Sequence, residues 1–396
     1  MELKPGYKQT EVGVIPVDWE VVELSQAADF LDSQRKPIKS SERAKMRGAF
    51  PYYGASGVVD YVNNFIFDGE FILLGEDGEN ILSRNVPLAF RVSGKIWVNN
   101  HAHVLQPRES FDIDYLTAFL ESLDYKDHNK GTAQPKLNKQ TCLKLKIAKP
   151  PAIEQEAIAK ALSDMDALIQ SLEQQIIKKQ QIKQGAMQLL LNPYDAHGQL
   201  KQGWSIRKLG ECVNIDPENL PSNTPPDYEF KYISLENAKN GVLQGYSTEH
   251  FEKASPRARR VLKNGDVLIG TVRPNLKSHC IFTETTADWI CSTGFAVIRC
   301  PKDLVSPYFV FASFFAPFID RQIENLITGS NYPAISSGDV RALKFAAPEY
   351  KQQLQIEDAL SKQDSELAAL KAKLEKLTVL KQGMMQNLLT GAVRLV

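Results

Sequence analysis

With 396 residues the chain is too long for one ordinary core, and about 150 residues per domain predicts two or three globular units. Hydrophobic residues make up 43% and charged ones 24%, a balance that opposes disorder, while 47 Lys plus Arg against 47 Asp plus Glu cancel and confine any basic surface to a local patch. The longest apolar runs, such as Tyr308 to Phe315, fall far short of the ~20 residues that cross a bilayer, Met1 to Thr10 is polar, and the five cysteines form no C-x-x-C pair, so a cytoplasmic protein with reduced core thiols is expected.

In chain order, VVDYVNNFIF, GEFILLG and KIWVNNHAHVLQP read as short strands bounded by Gly, Asn and Pro, and Asp114 to Leu123 reads as a helix. Lys126 to Lys149 then carries seven lysines against one acid, Asp127, a basic stretch that suits a solvated face or a phosphate backbone. From Ile158 a heptad seam runs Ile158, Leu162, Met165, Ile169, Leu172, Ile176, Lys179, Lys183, Ala186, Leu190, with spacings of 4 and 3. Asn192-Pro193 supplies a stop. The second half repeats the plan with strands YISL, DVLIGTV and GFAVIRC, a basic run at Lys253 to Lys263, and a helix predicted from Pro307 to Leu326.

The repeat is explicit. KQGAMQLLL at 183–191 returns as KQGMMQNLL at 381–389, and a shift of 198 aligns Gly131 with Gly329, Pro135 with Pro333, and Pro150 with Pro348 without a gap through Leu191. Earlier, Trp19 and Leu24 match Trp204 and Leu209 at a shift of 185, so the second half carries 13 extra residues between. The seam recurs as Ile356, Leu360, Gln363, Leu367, Leu370, Leu374, Leu377, Lys381, Met384, Leu388. The predicted organisation is a mixed α/β domain at 1–150, a long helix at 151–191, a linker at 192–203, a second mixed α/β domain at 204–349 and a second long helix at 350–390. Helices of about 40 residues, roughly 60 Å, with so narrow a seam need a partner. The other copy is the simplest one. Antiparallel pairing puts the domains at opposite ends with an approximate two-fold axis, whereas parallel pairing asks the linker, about 40 Å at full stretch, to travel the helix length.

No catalytic set emerges. Asn192-Pro193-Tyr194 lacks the second proline and the glycine-rich loop of an amino-methyltransferase; Pro226-Asp227 with Glu229-Phe230-Lys231 spells a nuclease metal site too compactly to form one and reads as loop; Gly75 to Asn80 reads as a tight turn. His101 and His103 have the spacing of some metal ligands without a third partner, and with Asn99 and Asn100 they resemble hydrogen-bonding groups for base edges or a polar surface. Two divergent heads on a rigid spacer suit a reader of an extended target, or alternatively a scaffold that binds two partner proteins.

The chain resembles the specificity subunits of type I restriction-modification enzymes. The resemblance rests on GYKQTEVGVIPVDWEVVEL (6–24), YYGASG (52–57), LLGEDGENILSRN (73–85), KIWVNNHAHVL (95–105), KGTAQPKLN (130–138) with TGSNYPAIS (328–336), PPAIEQEAIAKAL (150–162) and the KQGAMQ and KQGMMQ pair. It implies two target-recognition domains, each reading half of a split double-stranded DNA site, on an antiparallel coiled-coil spacer that docks two modification subunits. It also implies that this chain carries no cofactor or metal: S-adenosylmethionine, and ATP with Mg on a restriction motor, belong to partner subunits.

By their chemistry, Asn99, Asn100, His101 and His103 are the expected base readers of the first domain, with Arg84, Lys130 and Lys136 on phosphates. In the second, Arg273, Asn275, Lys277, Ser330, Asn331 and Tyr332 are the corresponding set, and Arg257, Arg259 and Arg260 suit the backbone. A lysine on an apolar seam is costly in a closed two-helix coil, so Lys183 and Lys381, with Met187 and Met385 beside them, are expected to face a partner subunit.

Overall fold

A computed structural model describes residues 4–128, 135–239, 241–327 and 333–396. The chain forms two compact units, residues 1–174 with 372–396 and residues 175–371. Each combines a mixed α/β domain with segments of both long helices, Ala152–Leu190 and Tyr350–Leu388.

The first unit is built on a six-stranded sheet ordered Ala28–Phe30, Ala102–Pro107, Phe67–Gly75, Ala89–Val98, Arg47–Gly54, Gly57–Val62. All neighbours are antiparallel except Arg47–Gly54 beside Ala89–Val98, where Tyr52 and Tyr53 pair with Trp97 and Val98 in parallel. The helix Ile113–Ser122 buries Tyr115, Leu116, Phe119 and Leu120 into a core shared with Trp19, Leu24, Ile158 and Leu162. That apolar set recurs every three or four residues, as an amphipathic helix requires.

In the second unit the corresponding strands divide into two four-stranded sheets. One is ordered Asn214–Ile215, Phe295–Arg299, Val267–Gly270, His279–Ile281, and the other Ser247–His250, Glu229–Ile233, Trp289–Ser292, Ala258–Val261. The parallel pairing survives between Lys231–Ile233 and Trp289–Cys291. Glu229 and Lys231, expected in a loop, therefore lie on a strand. The helix expected over 307–326 is two helices, Pro307–Ser313 and Pro317–Ile327. Pro317 cannot donate to the carbonyl one turn back and its ring clashes there, so the first helix stops and Pro317 opens the next.

Both domains are closed by the same clasp. Glu20–Glu23 pairs antiparallel with Lys146–Lys149, and Ser205–Lys208 pairs with Lys344–Ala347. The first turn of each long helix is then registered on its domain by a buried glutamine. Gln155 accepts from the Asp112 N–H at 2.9 Å and donates to the Pro150 carbonyl at 3.0 Å; Gln353 accepts from the Ser306 N–H at 3.0 Å and donates to the Pro348 carbonyl at 2.9 Å. Asp112 and Ser306 are the N-caps of the adjoining domain helices, accepting from the Tyr115 and Phe309 N–H groups. Such a cap is worth ~1 kcal/mol.

Every position of both predicted heptad seams is buried or half-buried, while Ile153, Ile182, Leu189 and Val379, off the seam, stand exposed. Within each unit the helix segments run antiparallel. In the second, Lys179 pairs with Glu366 and Lys183 with Asp364. In the first, Lys381 pairs with Asp166 at 2.5 Å, and Leu388 packs in the core beside Ile158 and Leu162. The seam lysines expected to face a partner subunit thus each find an aspartate on the neighbouring helix. Shifted by 198, Asp166 becomes Asp364 and Lys183 becomes Lys381, so one pair is written twice. The charge on the seam is neutralised inside the chain.

Candidate nucleic-acid interface

The strand Phe67–Gly75 ends at a glycine packed too closely for a side chain: a Cβ there would lie 2.8 Å from Leu88 Cδ1 and 3.0 Å from the Ala55 carbonyl. Gly270 ends the equivalent strand Val267–Gly270 under the same constraint, with a Cβ 2.8 Å from the Ser278 carbonyl. Beyond each glycine the chain turns, and the turn is bonded in the same way in both units. The Glu76 N–H donates to the His101 carbonyl (2.9 Å), the Leu137 N–H to Glu76 (2.8 Å) and the Gly78 N–H to Pro135 (3.1 Å). In the second unit Thr271 donates to Gly294 (2.8 Å), Ile335 to Thr271 (2.9 Å) and Arg273 to Pro333 (2.7 Å). Each unit thus gathers a turn, the loop between two sheet strands, and a returning segment at one end of its sheet.

In the first unit this end presents Asn100, His101 and Lys136 as exposed side chains. His101 is 50% exposed, and its Nδ1 lies 2.9 Å from both oxygens of Asp77, which fixes the ring. With Nδ1 turned to the carboxylate, Nε2 is the ring nitrogen left to solvent. Lys136 lies 3.4 Å from Glu76, which also holds Arg35 at 2.8 Å.

The remaining first-domain candidates have other roles. Asn99 is 9% exposed and its Oδ1 accepts from the His101 N–H at 2.7 Å, so it builds the turn that carries Asn100 and His101. His103 is 1% exposed and cannot meet a base edge. Its Nδ1 lies 2.7 Å from Asp32 and its Nε2 2.9 Å from the Leu137 carbonyl. Burial opposes charge on this ring, but the Asp32 carboxylate and the Cys142 sulfur more than compensate and push its pKa up to about 10. Burial pushes the Asp32 carboxyl up, but the bond to His103, the charge of that ring, the Val104 N–H and Arg35 together hold it low. Arg84, expected on phosphate, ends the short helix Asn80–Ser83 in the left-handed region (φ 51°) and pairs with Glu121 at 2.9 Å. Lys130 lies outside the described residues.

In the second unit Arg273 and Asn275 are exposed at the equivalent end, Arg273 with φ 47°. Lys277, expected as a reader, repeats the role of Arg84: it ends the turn Pro274–Leu276 with φ 50° and pairs with Asp320 at 2.7 Å. Behind it His279 is 1% exposed, accepts from the Gly270 N–H at 3.1 Å and packs against the edges of Phe314 and Phe315. Burial, reinforced by Lys277, pulls its pKa down to about 4, so it is neutral. Arg257 is exposed; Arg259 lies over the Phe251 ring; Arg260, expected on phosphate, is drawn inward to Asp216 at 2.7 Å. Ser330, Asn331 and Tyr332 lie outside the described residues.

Met187 and Met385 are half-buried against the cores of their units. Among the described residues no cluster of His, Cys, Asp and Glu converges on a metal site, and His101 and His103 turn to different carboxylates. Sequence reading missed Asp32, Arg35, Glu76 and Asp77, the acids and base that hold the turn. Asp77 lies in the GEDGEN run, whose glycines signalled a turn but not its partners.

The class defined by this arrangement is a duplicated recognition protein: two mixed α/β units with polar sheet ends, on long helices. Residues 16–184 match the family described as "Type I restriction modification DNA specificity domain". A type I specificity subunit of Methanocaldococcus jannaschii is 24% identical over 96% of this chain and 94% of its own, and a putative one of Haemophilus influenzae is 36% identical over 38% of each chain. The crystal structure of the S subunit of a type I restriction-modification system from M. genitalium shares the fold with a TM-score of 0.64, at 14% identity and 98% coverage of both chains. Over nearly its whole length the chain is similar to type I restriction-modification specificity subunits. Subunits of this family are recognition chains and not catalysts.

Proposed function

We propose that this chain reads a bipartite double-stranded DNA site for a type I restriction-modification complex, each α/β domain taking one half-site. The domains are those at 1–150 and 204–349, and the helices at 151–191 and 350–390 set the spacing and dock two modification subunits. The observation that carries the reading is the duplicated sheet end: the same three backbone bonds in both units present different polar side chains, Asn100, His101 and Lys136 in one and Arg273 and Asn275 in the other. A common frame with divergent tips is what two different half-sites require. Arg273 matches a guanine edge or a phosphate, and His101 Nε2 is the ring nitrogen that meets a base edge in the major groove.

S-adenosylmethionine then belongs to the modification subunits, which methylate adenine, and ATP with Mg to a restriction motor; the assembly acts in the cytoplasm. The test is to purify the chain with its modification subunits and map adenine methylation on a genomic library. A split motif with a fixed gap is the expected result. Methylation without sequence preference, or none, overturns the proposal.

A further inference from the structure

Two cations the proposed interface leaves unused lie directly behind it, one in each unit. We infer that His103 and Arg260 are positioning residues for sequence reading, each pinning the returning segment of its own unit so that the turn beside it presents its side chains in one register. The inference rests on the reading of the sheet ends as DNA-facing.

In the first unit Asp32 Oδ1 accepts from the Val104 N–H at 3.0 Å while Oδ2 faces His103, whose other nitrogen faces the Leu137 carbonyl. Both ring nitrogens face acceptors, so both carry protons and the ring is an imidazolium. In the second, Asp216 Oδ1 accepts from the Val297 N–H at 2.9 Å while its other oxygen takes Arg260, whose guanidinium also reaches Ser337 Oγ at 3.3 Å. The layout is the same: an aspartate bonded to the same strand position, a cation turned inward to it, fully buried at His103 and half-buried at Arg260, and a bond onward to the segment returning past the turn.

The cations are not counterparts in the chain. Leu74 pairs with His103 and the equivalent Ile269 pairs with Ala296, so the second unit has alanine where the first has histidine, and supplies its charge from the strand Ala258–Val261 instead. One mechanical task has been met with unrelated residues. Because Leu137 and Ile335 also bond the turns at Glu76 and Thr271, slack in either segment is transmitted to His101, Lys136 or Arg273.

The test measures methylation by the assembled complex on DNA with substitutions in each half-site. Asp32→Asn with His103→Leu removes the pin without stranding a buried carboxylate. It is expected to lose roughly tenfold in discrimination at the first half-site and nothing at the second. Asp32→Asn alone keeps the bonds, since the amide can donate to a neutral His103 that still donates to Leu137, and it should restore discrimination. Arg260→Lys keeps the pairing with Asp216 but gives up Ser337, and should relax the second half-site alone; this milder change covers the case in which the double variant does not fold. Full discrimination at both half-sites in the pin-less variants, or equal loss at both, overturns the inference. A wild-type complex that methylates without preference overturns the proposed function instead.

Discussion

The first unit buries a charged histidine, whereas the second, at a different position in its sheet, buries a neutral one. His103 has an acceptor at each nitrogen and a carboxylate among them; His279 has a backbone N–H on one nitrogen and aromatic edges around it. Both are 1% exposed, so burial alone does not set their state. What differs is the partner. A carboxylate repays the loss of solvation of an imidazolium, and a donor with two phenyl rings does not.

The comparison is sharpest in acid and alkali. His103 has a folded pKa above its unfolded value, so its stabilisation is full below the ordinary histidine range and is lost as pH rises toward about 10. His279 has a folded pKa below its unfolded value, so the native state loses stability as pH falls from about 6.5 through about 4, by on the order of 3 kcal/mol in all. Hydrogen exchange followed separately in the two units at pH 4.5 and pH 9 should show the second opening first in acid and the first weakening in alkali. His279→Phe should flatten the acid limb; an acid limb that stays as steep locates the titrating group elsewhere.

A second contrast lies at the paired tryptophans. Trp19 donates to Glu154, which is fully buried and also takes Arg394 at 2.5 Å; Arg394 reaches Asp18 as well, and the Tyr7 hydroxyl donates to the Gly391 carbonyl. Trp204 has no such partner, its Nε1 being buried without one, and the position matching Glu154 is the exposed Gln352. Arg394→Ala should cost ~2–3 kcal/mol in urea unfolding, below the ~3–5 kcal/mol of a fully buried pair because Arg394 is itself 32% exposed. Trp19→Phe should cost ~1–2 kcal/mol more than Trp204→Phe, since only the first removes a bond to a charged group. Equal costs would mean that the Glu154 bond contributes nothing.

The smallest expected effect comes from the twin seam pairs. Lys183→Ala and Lys381→Ala should each lower stability by ~0.5–1 kcal/mol, alike in size and reduced by salt, as half-exposed ion pairs are. Opposing signs would break the equivalence that the repeat implies.

The helices and the cores were legible because periodicity is a local property. Ile158, Leu162, Leu172 and Ile176 recur at heptad spacing, and that spacing alone puts them on one face, which the structure buries. The break at Pro317 was legible in principle, since a proline inside a helix removes a bond wherever it occurs. The candidate interface was read only in part. Asn100, His101, Arg273 and Asn275 are exposed as expected, whereas Asn99, His103, Arg84, Lys277 and Arg260 are claimed by neighbours far along the chain. Composition marks such residues as polar; it does not say which of them meet a carboxylate.

The amino-acid sequence by itself determined the duplication, the two long amphipathic helices and the apolar sets that build each core, because each depends on spacing along the chain. Tertiary structure alone decided which polar residues face outward and which are held inside. His101 and His103 stand two residues apart, yet one pairs with Asp77 at the surface and the other with Asp32, 71 positions away, in the interior. A charge is buried or exposed according to what the fold brings within about 3 Å of it, and that neighbour is chosen in space.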